Sequence, residues 1–123
     1  MKELKIRDIE PGRNFEILAR ILSVSPARII TTRDGRKTQL TEVLIADESG
    51  TAVLSLWGFG VGSELKAGQV IRITDGWAKE WQGKIQLSLG RAGRLEPVGD
   101  DGSLPMIADL RKDLSGSESV EES

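Results

Sequence analysis

Cysteine, histidine and tyrosine are all absent from the 123 residues. Without Cys or His there can be no zinc finger, no Cys/His metal site, no Ser-His-Asp or Cys-His nucleophile pair and no disulfide framework. A cysteine-free chain also suits an intracellular protein. No apolar run approaches the roughly 18 residues of a membrane span. The first ten residues, Met-Lys-Glu-Leu-Lys-Ile-Arg-Asp-Ile-Glu, carry a charge at every second or third position, which leaves no apolar stretch for a signal peptide. The composition predicts a cytoplasmic protein with no membrane partner. Aromatics are only 4% of the chain, yet three of the five are Trp, all between positions 57 and 81. The net charge of −2 and pI near 5.2 argue, at face value, against a polyanionic partner.

Charge counted by segment reverses that argument. Residues 1–94 hold 15 basic and 11 acidic side chains, whereas residues 95–123 hold 2 and 8, so a segment of +4 is joined to one of −6. The second segment contains Gly-Asp-Asp-Gly-Ser and ends in Ser-Gly-Ser-Glu-Ser-Val-Glu-Glu-Ser. A composition this acidic and this poor in apolar residues cannot offset the entropy of ordering. The expected organisation is a folded domain over 1–98 and a flexible, largely disordered acidic tail over 99–123. Within the tail, Leu104, Ile107, Leu110 and Leu114 recur at helical spacing and predict a short amphipathic helix over 104–114.

Short β-rich runs separated by turn residues dominate the first 98 positions. Phe15, Ile17, Ala19 and Ile21 alternate with Glu16, Leu18, Arg20 and Leu22, the pattern of a long strand. Asp34-Gly35 separates Arg28–Arg33 from a second strand near 36–47 and suits a type I′ hairpin turn. Asp47-Glu-Ser-Gly50 is a further turn, Thr51 to Trp57 a third strand, Gln69 to Thr74 a fourth and Lys84 to Leu89 a fifth. Between the third and fourth, Ser63-Glu-Leu-Lys-Ala-Gly68 offers a Ser cap and a Gly stop, which predict one short helical turn. Five antiparallel strands with that helix fit an all-β, five-stranded Greek-key barrel of the OB type, with an SH3-like barrel as the main alternative.

The Trp residues are the leading chemical feature. If Leu54 and Leu56 face the core, a period of two turns Trp57 outward. Trp77 and Trp81 bracket Ala78-Lys79-Glu80 in what reads as the connection between strands four and five, beside Lys84. A lone Trp is commonly a barrel cap. Three of them, one outward on a strand and two beside lysines, form the kind of exposed aromatic patch that marks an interface. Arg28, Arg33, Arg36 and Lys37 lie in or beside the first hairpin; singly they would be ordinary solvated charges. In an OB barrel, however, the loops after strands one and four flank a single groove. Stacking surfaces interleaved with cations are what a single nucleic-acid strand requires.

Enzyme readings find less support. Gly58-Phe-Gly60-Val-Gly62 lacks the G-x-G-x-x-G spacing, and Gly62 to Gln69 leaves no room for a parallel crossover. Asp47-Glu48 and Asp100-Asp101 have no second partner at a metal-binding or acid/base spacing. The expectation is a chain without enzymatic activity, cofactor or metal.

Lys5-Ile-Arg-Asp-Ile-Glu-Pro-Gly12, Asp47-Glu-Ser-Gly50, Leu56-Trp-Gly58, Gly76-Trp-Ala78, Trp81-Gln-Gly83 and Leu89-Gly-Arg-Ala-Gly93 follow one another as in the single-OB single-stranded-DNA-binding proteins of archaea. Over about residues 4–98 the chain resembles that family, and its eukaryotic relatives, the sensor-of-single-stranded-DNA B subunits, share the pattern. The resemblance implies base stacking at Trp57, Trp77 and Trp81, where the family often has Phe at the last, and an apolar base contact from Ile30. Some relatives carry another aromatic where this chain has Ser88, and the long Gly/Arg-rich tail of some archaeal members is missing, leaving an acidic end that resembles their partner-binding tip.

The sequence thus points to a non-sequence-specific binder of single-stranded DNA in replication, recombination and repair, cytoplasmic and nucleoid-associated. Arg28, Arg33, Arg36, Lys37, Lys79 and Lys84 would contact phosphates, and repair or replication proteins would engage the acidic tail. Two other readings stay open, a protein–protein interaction module on the same barrel and a single-stranded RNA binder.

Overall fold

The computed structural model describes residues 2–100, 102, 104 and 105; the side chains of Trp81 and Arg91 fall outside that description. Among the described residues seven strands form: β1 (Glu3–Leu4), β2 (Asn14–Val24), β3 (Arg28–Thr31), β4 (Lys37–Asp47), β5 (Gly50–Trp57), β6 (Val70–Trp81) and β7 (Lys84–Val98). The alternation of Phe15, Ile17, Ala19 and Ile21 buries all four on one face of β2. The first part of β2 pairs antiparallel with β6 and the last part with β4. β4 continues into β5, β5 pairs parallel with β7, and β7 returns antiparallel to β6. The ring β2-β4-β5-β7-β6 closes. It is the five-stranded Greek-key OB barrel, and closure leaves its main strands no bare edge. β1 adds to β2 in parallel, and β3 pairs with the start of β4 as a projecting ribbon.

Inward side chains from every barrel strand make one core, including Phe15, Ile17, Val43, Leu54, Ile73 and Leu87. Asp47 ties the amino-terminal segment to this core. Its carboxylate accepts the Ile6 N–H at 2.9 Å and the Ser49 N–H at 2.7 Å. The neighbouring Glu48 instead meets Lys5, a contact that holds the Glu48 carboxyl below its ordinary value. Asp47 and Glu48 are therefore structural partners of two different groups and not a paired acid site.

A bulge on β6 decides which way the second half of that strand faces. Ile71 and Ile73 point into the core, and strict alternation would carry Trp77 inward as well. Instead Phe15 pairs with Gly76 and Ile17 with Ile73, so Thr74 and Asp75 together stand opposite Glu16 alone. Asp75 takes up the extra residue in a left-handed conformation, φ 54°. Beyond it Gly76 and Ala78 face the core, and Trp77 and Lys79 face out. Re-aiming of side chains is the usual consequence of a bulge.

That bulge corrects one expectation from the sequence. Trp77 and Trp81 do not lie on a connecting loop: β6 runs through both, and the turn to β7 is only Gln82-Gly83. Both turn residues have positive φ, 52° and 78°, as a type I′ hairpin requires. In the earlier hairpin only Gly35 adopts positive φ, with Thr32 and Arg36 closing the turn, so the expected type I′ geometry at Asp34-Gly35 is not formed. The expected helix between the third and fourth barrel strands is also missing. Residues 58–69 form separate turns closed by bonds such as Val61 N–H to Gly58 O and Leu65 N–H to Gly62 O. Gly58, Gly60 and Gly62 all have positive φ, which interrupts any continuous right-handed helix, and Gln69 rather than Ser63 accepts the Lys66 N–H.

The chain continues to pack after Val98. Arg20, on the outer side of β2, is only 2% exposed. Its guanidinium donates to Pro105 O at 2.7 Å, Gly68 O at 2.8 Å, Asp100 Oδ2 at 2.9 Å and Leu104 O at 3.4 Å. Leu104 is buried. The remainder of the predicted 104–114 helix, from residue 106, and the acidic end lie outside the described residues.

Two outcomes follow from this clamp. Leu104→Ala should lower the unfolding free energy by about 2 kcal/mol in chemical denaturation, the low end for a buried leucine; an unchanged midpoint would mean that the segment does not dock. The Arg20 contact, ahead of the Gly102 N–H, holds the Asp100 carboxyl below its ordinary value. Because the unfolded chain takes up this proton first as pH falls, the contribution is complete above the unfolded carboxyl's pKa and disappears below it. Asp100→Asn should therefore flatten the acid limb of the stability curve.

Candidate nucleic-acid interface

The strand register assembles a groove on the outer surface of the barrel. Leu54 and Leu56 are buried, so Ser55 and Trp57 occupy the opposite face of β5, where Trp57 is 50% exposed. Across the parallel pairing Ser55 meets Ser88, and across the antiparallel pairing Ser88 meets Trp77, which is 38% exposed. One row further, Lys79 on β6 pairs with Gln86 on β7. Trp57, Trp77, Lys79, Gln86, Ser55 and Ser88 line a depression of about 220 Å³. Two serines form part of its floor. Their small size leaves room for a flat group between two indole rings, with an ammonium at the side.

The other sequence-selected residues take different places. Trp81 stands opposite Lys84 at the end of the same ribbon; its side chain is outside the description. Lys84 is exposed. Arg28 pairs with Leu40 and Leu40 with Trp57, and Ile30 lies two positions on from Arg28, so Arg28 and Ile30 share the face of the ribbon that leads to Trp57. Ile30 is half-buried, while its neighbour Ile29 is the more exposed at 54%. Arg33, Arg36 and Lys37 lie around the ribbon tip and are not among the groove-lining residues.

The cations differ in how far their charge is already matched. Arg28 pairs with Glu42 at 3.0 Å and Arg36 with Asp34 at 3.4 Å. The Thr32 hydroxyl, and then the Arg36 backbone N–H, hold the Asp34 carboxyl below its ordinary value, so it stays an anion at the ribbon tip. Arg33, Lys37, Lys79 and Lys84 have no carboxylate partner among the described residues. Of the six cations selected from the sequence, these four offer the most charge to a polyanion. Among the described residues no cluster of Asp and Glu could hold a metal ion, and no helix is long and apolar enough to cross a membrane.

Sequence reasoning passed over Phe59, which is 64% exposed and follows the groove's Trp57 by two residues. The Gln39 carbonyl accepts the Gly58 N–H at 2.8 Å and the Gln39 side-chain oxygen accepts the Gly60 N–H at 2.9 Å, so both flanks of Phe59 are pinned to β4. An aromatic between two glycines directly after Trp57-Gly58 was the available signal.

Over 101 residues the chain is 34% identical to the single-stranded DNA binding protein Ssb of Saccharolobus solfataricus, covering 81% of this chain and 67% of that protein. The chain belongs to the archaeal Ssb family of single-stranded DNA-binding proteins. A second relative of this Ssb-family chain is replication factor A of Methanothermobacter thermautotrophicus, 33% identical over 72 residues, 57% of this chain but only 9% of that longer protein. The second OB-fold domain of replication protein A from Methanococcus maripaludis superimposes with a TM-score of 0.68 at 22% identity, covering 85% of this chain and all of that domain, which supports the OB fold. No protein-family model matches the chain.

The orientation of Trp77 rests on one close approach. A Cβ built on Gly76 would lie 2.5 Å from Phe15 Cζ and 2.9 Å from two further ring carbons. Gly76→Ala should therefore cost about 1–3 kcal/mol of stability through overpacking. Adding Phe15→Leu should recover part of that loss, a coupling that denaturation of the four-member mutant cycle would measure; strictly additive losses would contradict the contact.

Proposed function

We propose that this Ssb-family protein coats single-stranded DNA without sequence preference during replication, recombination and repair, acting by binding alone and without enzymatic activity. The observation that carries the reading is the pair of exposed indoles, Trp57 and Trp77, flanking a serine floor with Lys79 alongside. Every base offers a π face, so stacking in such a groove is indifferent to sequence, and each stacked base contributes about 1–3 kcal/mol. Trp81, beyond Lys79 on the same strand, supplies a third platform, and Ile30 an apolar contact on the Trp57 side. Arg33, Lys37, Lys79 and Lys84 neutralise phosphates, with Arg28 and Arg36 exchanging their carboxylates for phosphate on binding.

The same reading places the protein in the cytoplasm on exposed nucleoid DNA and gives the acidic end beyond residue 105 to replication or repair proteins. It also extends the kinship to the eukaryotic sensor-of-single-stranded-DNA B subunits, on the shared sequence motifs. RNA remains a competitor for the groove, since only contacts to or exclusion of the 2′-hydroxyl distinguish the two polymers.

Titration with oligothymidylate should quench Trp fluorescence. Trp57→Ala and Trp77→Ala should each weaken binding by about 1–3 kcal/mol. Lys79→Gln should reduce the slope of log affinity against log salt by about 0.7, the single-strand value for one phosphate. An unchanged emission spectrum together with no retention of oligothymidylate would contradict the reading, and tighter binding of a matched oligouridylate would move it to RNA.

A further inference from the structure

The groove between the two Trp residues does not end at Trp57. A depression of about 80 Å³ shares Ser55 and Trp57 with it and is bounded further by Leu56, Val61 and Leu89. Val61 is in turn a wall of the largest pocket described, about 520 Å³, which lies between the base of the β3–β4 ribbon and the 58–65 turns. The three depressions are neighbours with common walls: Ser55 and Trp57 line both the first and the second, and Val61 lines both the second and the third.

The chemistry of the far pocket differs from that of the groove. Its apolar walls include Ala27, Phe59, Val61 and Leu65, and Gln39 and Thr41 are among its polar groups. No Lys, Arg, Asp or Glu lines it. A phosphate would find no counter-charge there, and a charged peptide no partner. A neutral, flat heterocycle with a hydrogen-bonding edge matches both properties. The volume lies within the roughly 300–1,000 Å³ common for sites that take small organic groups. Gln39 uses its side-chain oxygen to accept the Gly60 N–H, which leaves its NH₂ group as a donor. Phe59 keeps 64% of its surface exposed although both flanking residues are pinned. Two positions before Gln39 on the same face of β4, Lys37 is exposed and has no carboxylate partner among the described residues.

We infer that this pocket is a further nucleobase subsite, in which a base beyond those held at Trp57 and Trp77 leaves the stack and inserts against Phe59, with Lys37 taking the phosphate of that nucleotide. The inference rests on the single-stranded-DNA reading of the groove and adds to it a second kind of base site, lined by neutral hydrogen-bonding groups where the groove carries Lys79. The base carbonyl oxygens of thymine and guanine can accept from the Gln39 amide. Phe59 and the pocket therefore lengthen the occluded site at one end.

The test uses the full chain and a series of fluorescein-labelled oligothymidylates spanning about 4 to 16 nucleotides, the range one OB fold covers. Phe59→Ala, at an exposed position, should weaken the longest members roughly tenfold, equivalent to about 1.4 kcal/mol, and leave the shortest unchanged. Ala27→Phe, which fills the pocket from the opposite wall, should give the same length dependence, and Phe59→Tyr should retain wild-type binding. A single abasic nucleotide moved along the longest oligomer should, at one position near an end, make the wild type bind like Phe59→Ala and abolish the difference between them. Equal affinity of wild type and Phe59→Ala at every length would overturn the subsite while leaving the groove intact, as would losses equal at all lengths. A self-association that Phe59→Ala dissolves would assign the pocket to a second copy and also overturn it. Failure of the single-stranded-DNA reading itself would look different, with Trp57→Ala and Trp77→Ala then binding no worse than wild type.

Discussion

The contact between the Phe15 ring and the bare Cα of Gly76 underlies the arrangement of the outer face that carries Trp57 and Trp77. Phe15 fills the core at the start of β2, and β6 can pass over it only where no side chain intervenes. The strand meets that demand by taking an extra residue at Asp75, which changes the side to which every later residue points. Trp77 and Lys79 reach the surface for that reason, opposite the Ser88 and Gln86 of β7 and within one groove of Trp57. A packing constraint inside the barrel thus sets the chemistry outside it.

Electrostatics are divided in the same way. The net charge of −2 describes neither part of the chain. On the barrel, some cations are committed to structure: Arg20 clamps residues 100–105, and Arg72 bridges Glu3 and Glu16. Others, Lys79 and Lys84 at the β6–β7 ribbon and Arg33 and Lys37 at the β3–β4 ribbon, have no carboxylate partner among the described residues. The proposed binding of a polyanion would draw on the second group, because breaking the first would cost folding energy.

Much of this was legible in the sequence where a single rule governed a segment. Alternation along Phe15 to Ile21 gave β2, and alternation through Leu54 and Leu56 gave the outward Trp57. Glycine and aspartate misled where they serve more than one purpose. Thr-Asp-Gly76 has the composition of a turn, so the fourth strand seemed to stop at Thr74, but the glycine is required by Phe15 and the aspartate is a bulge within a continuous strand. Likewise the Ser63 to Gly68 spacing suited a helix, while the three preceding glycines in left-handed conformations break the segment into separate turns. Arg20 falls on the second, partly apolar face of the 15–22 alternation, and nothing local reveals that residues 80 and more positions later return to cover it. Phe59 was lost among glycines that drew attention to a nucleotide loop.

The most direct test of this account is a set of intermolecular NOEs between the protein's indole protons and the thymine protons of a bound short oligothymidylate. The bulge and the register predict that Trp57 and Trp77 both contact thymine protons of the same oligomer, with Lys79 close to the intervening phosphate. Contacts confined to another face of the barrel, or a Trp77 indole that meets core side chains and no base, would contradict it.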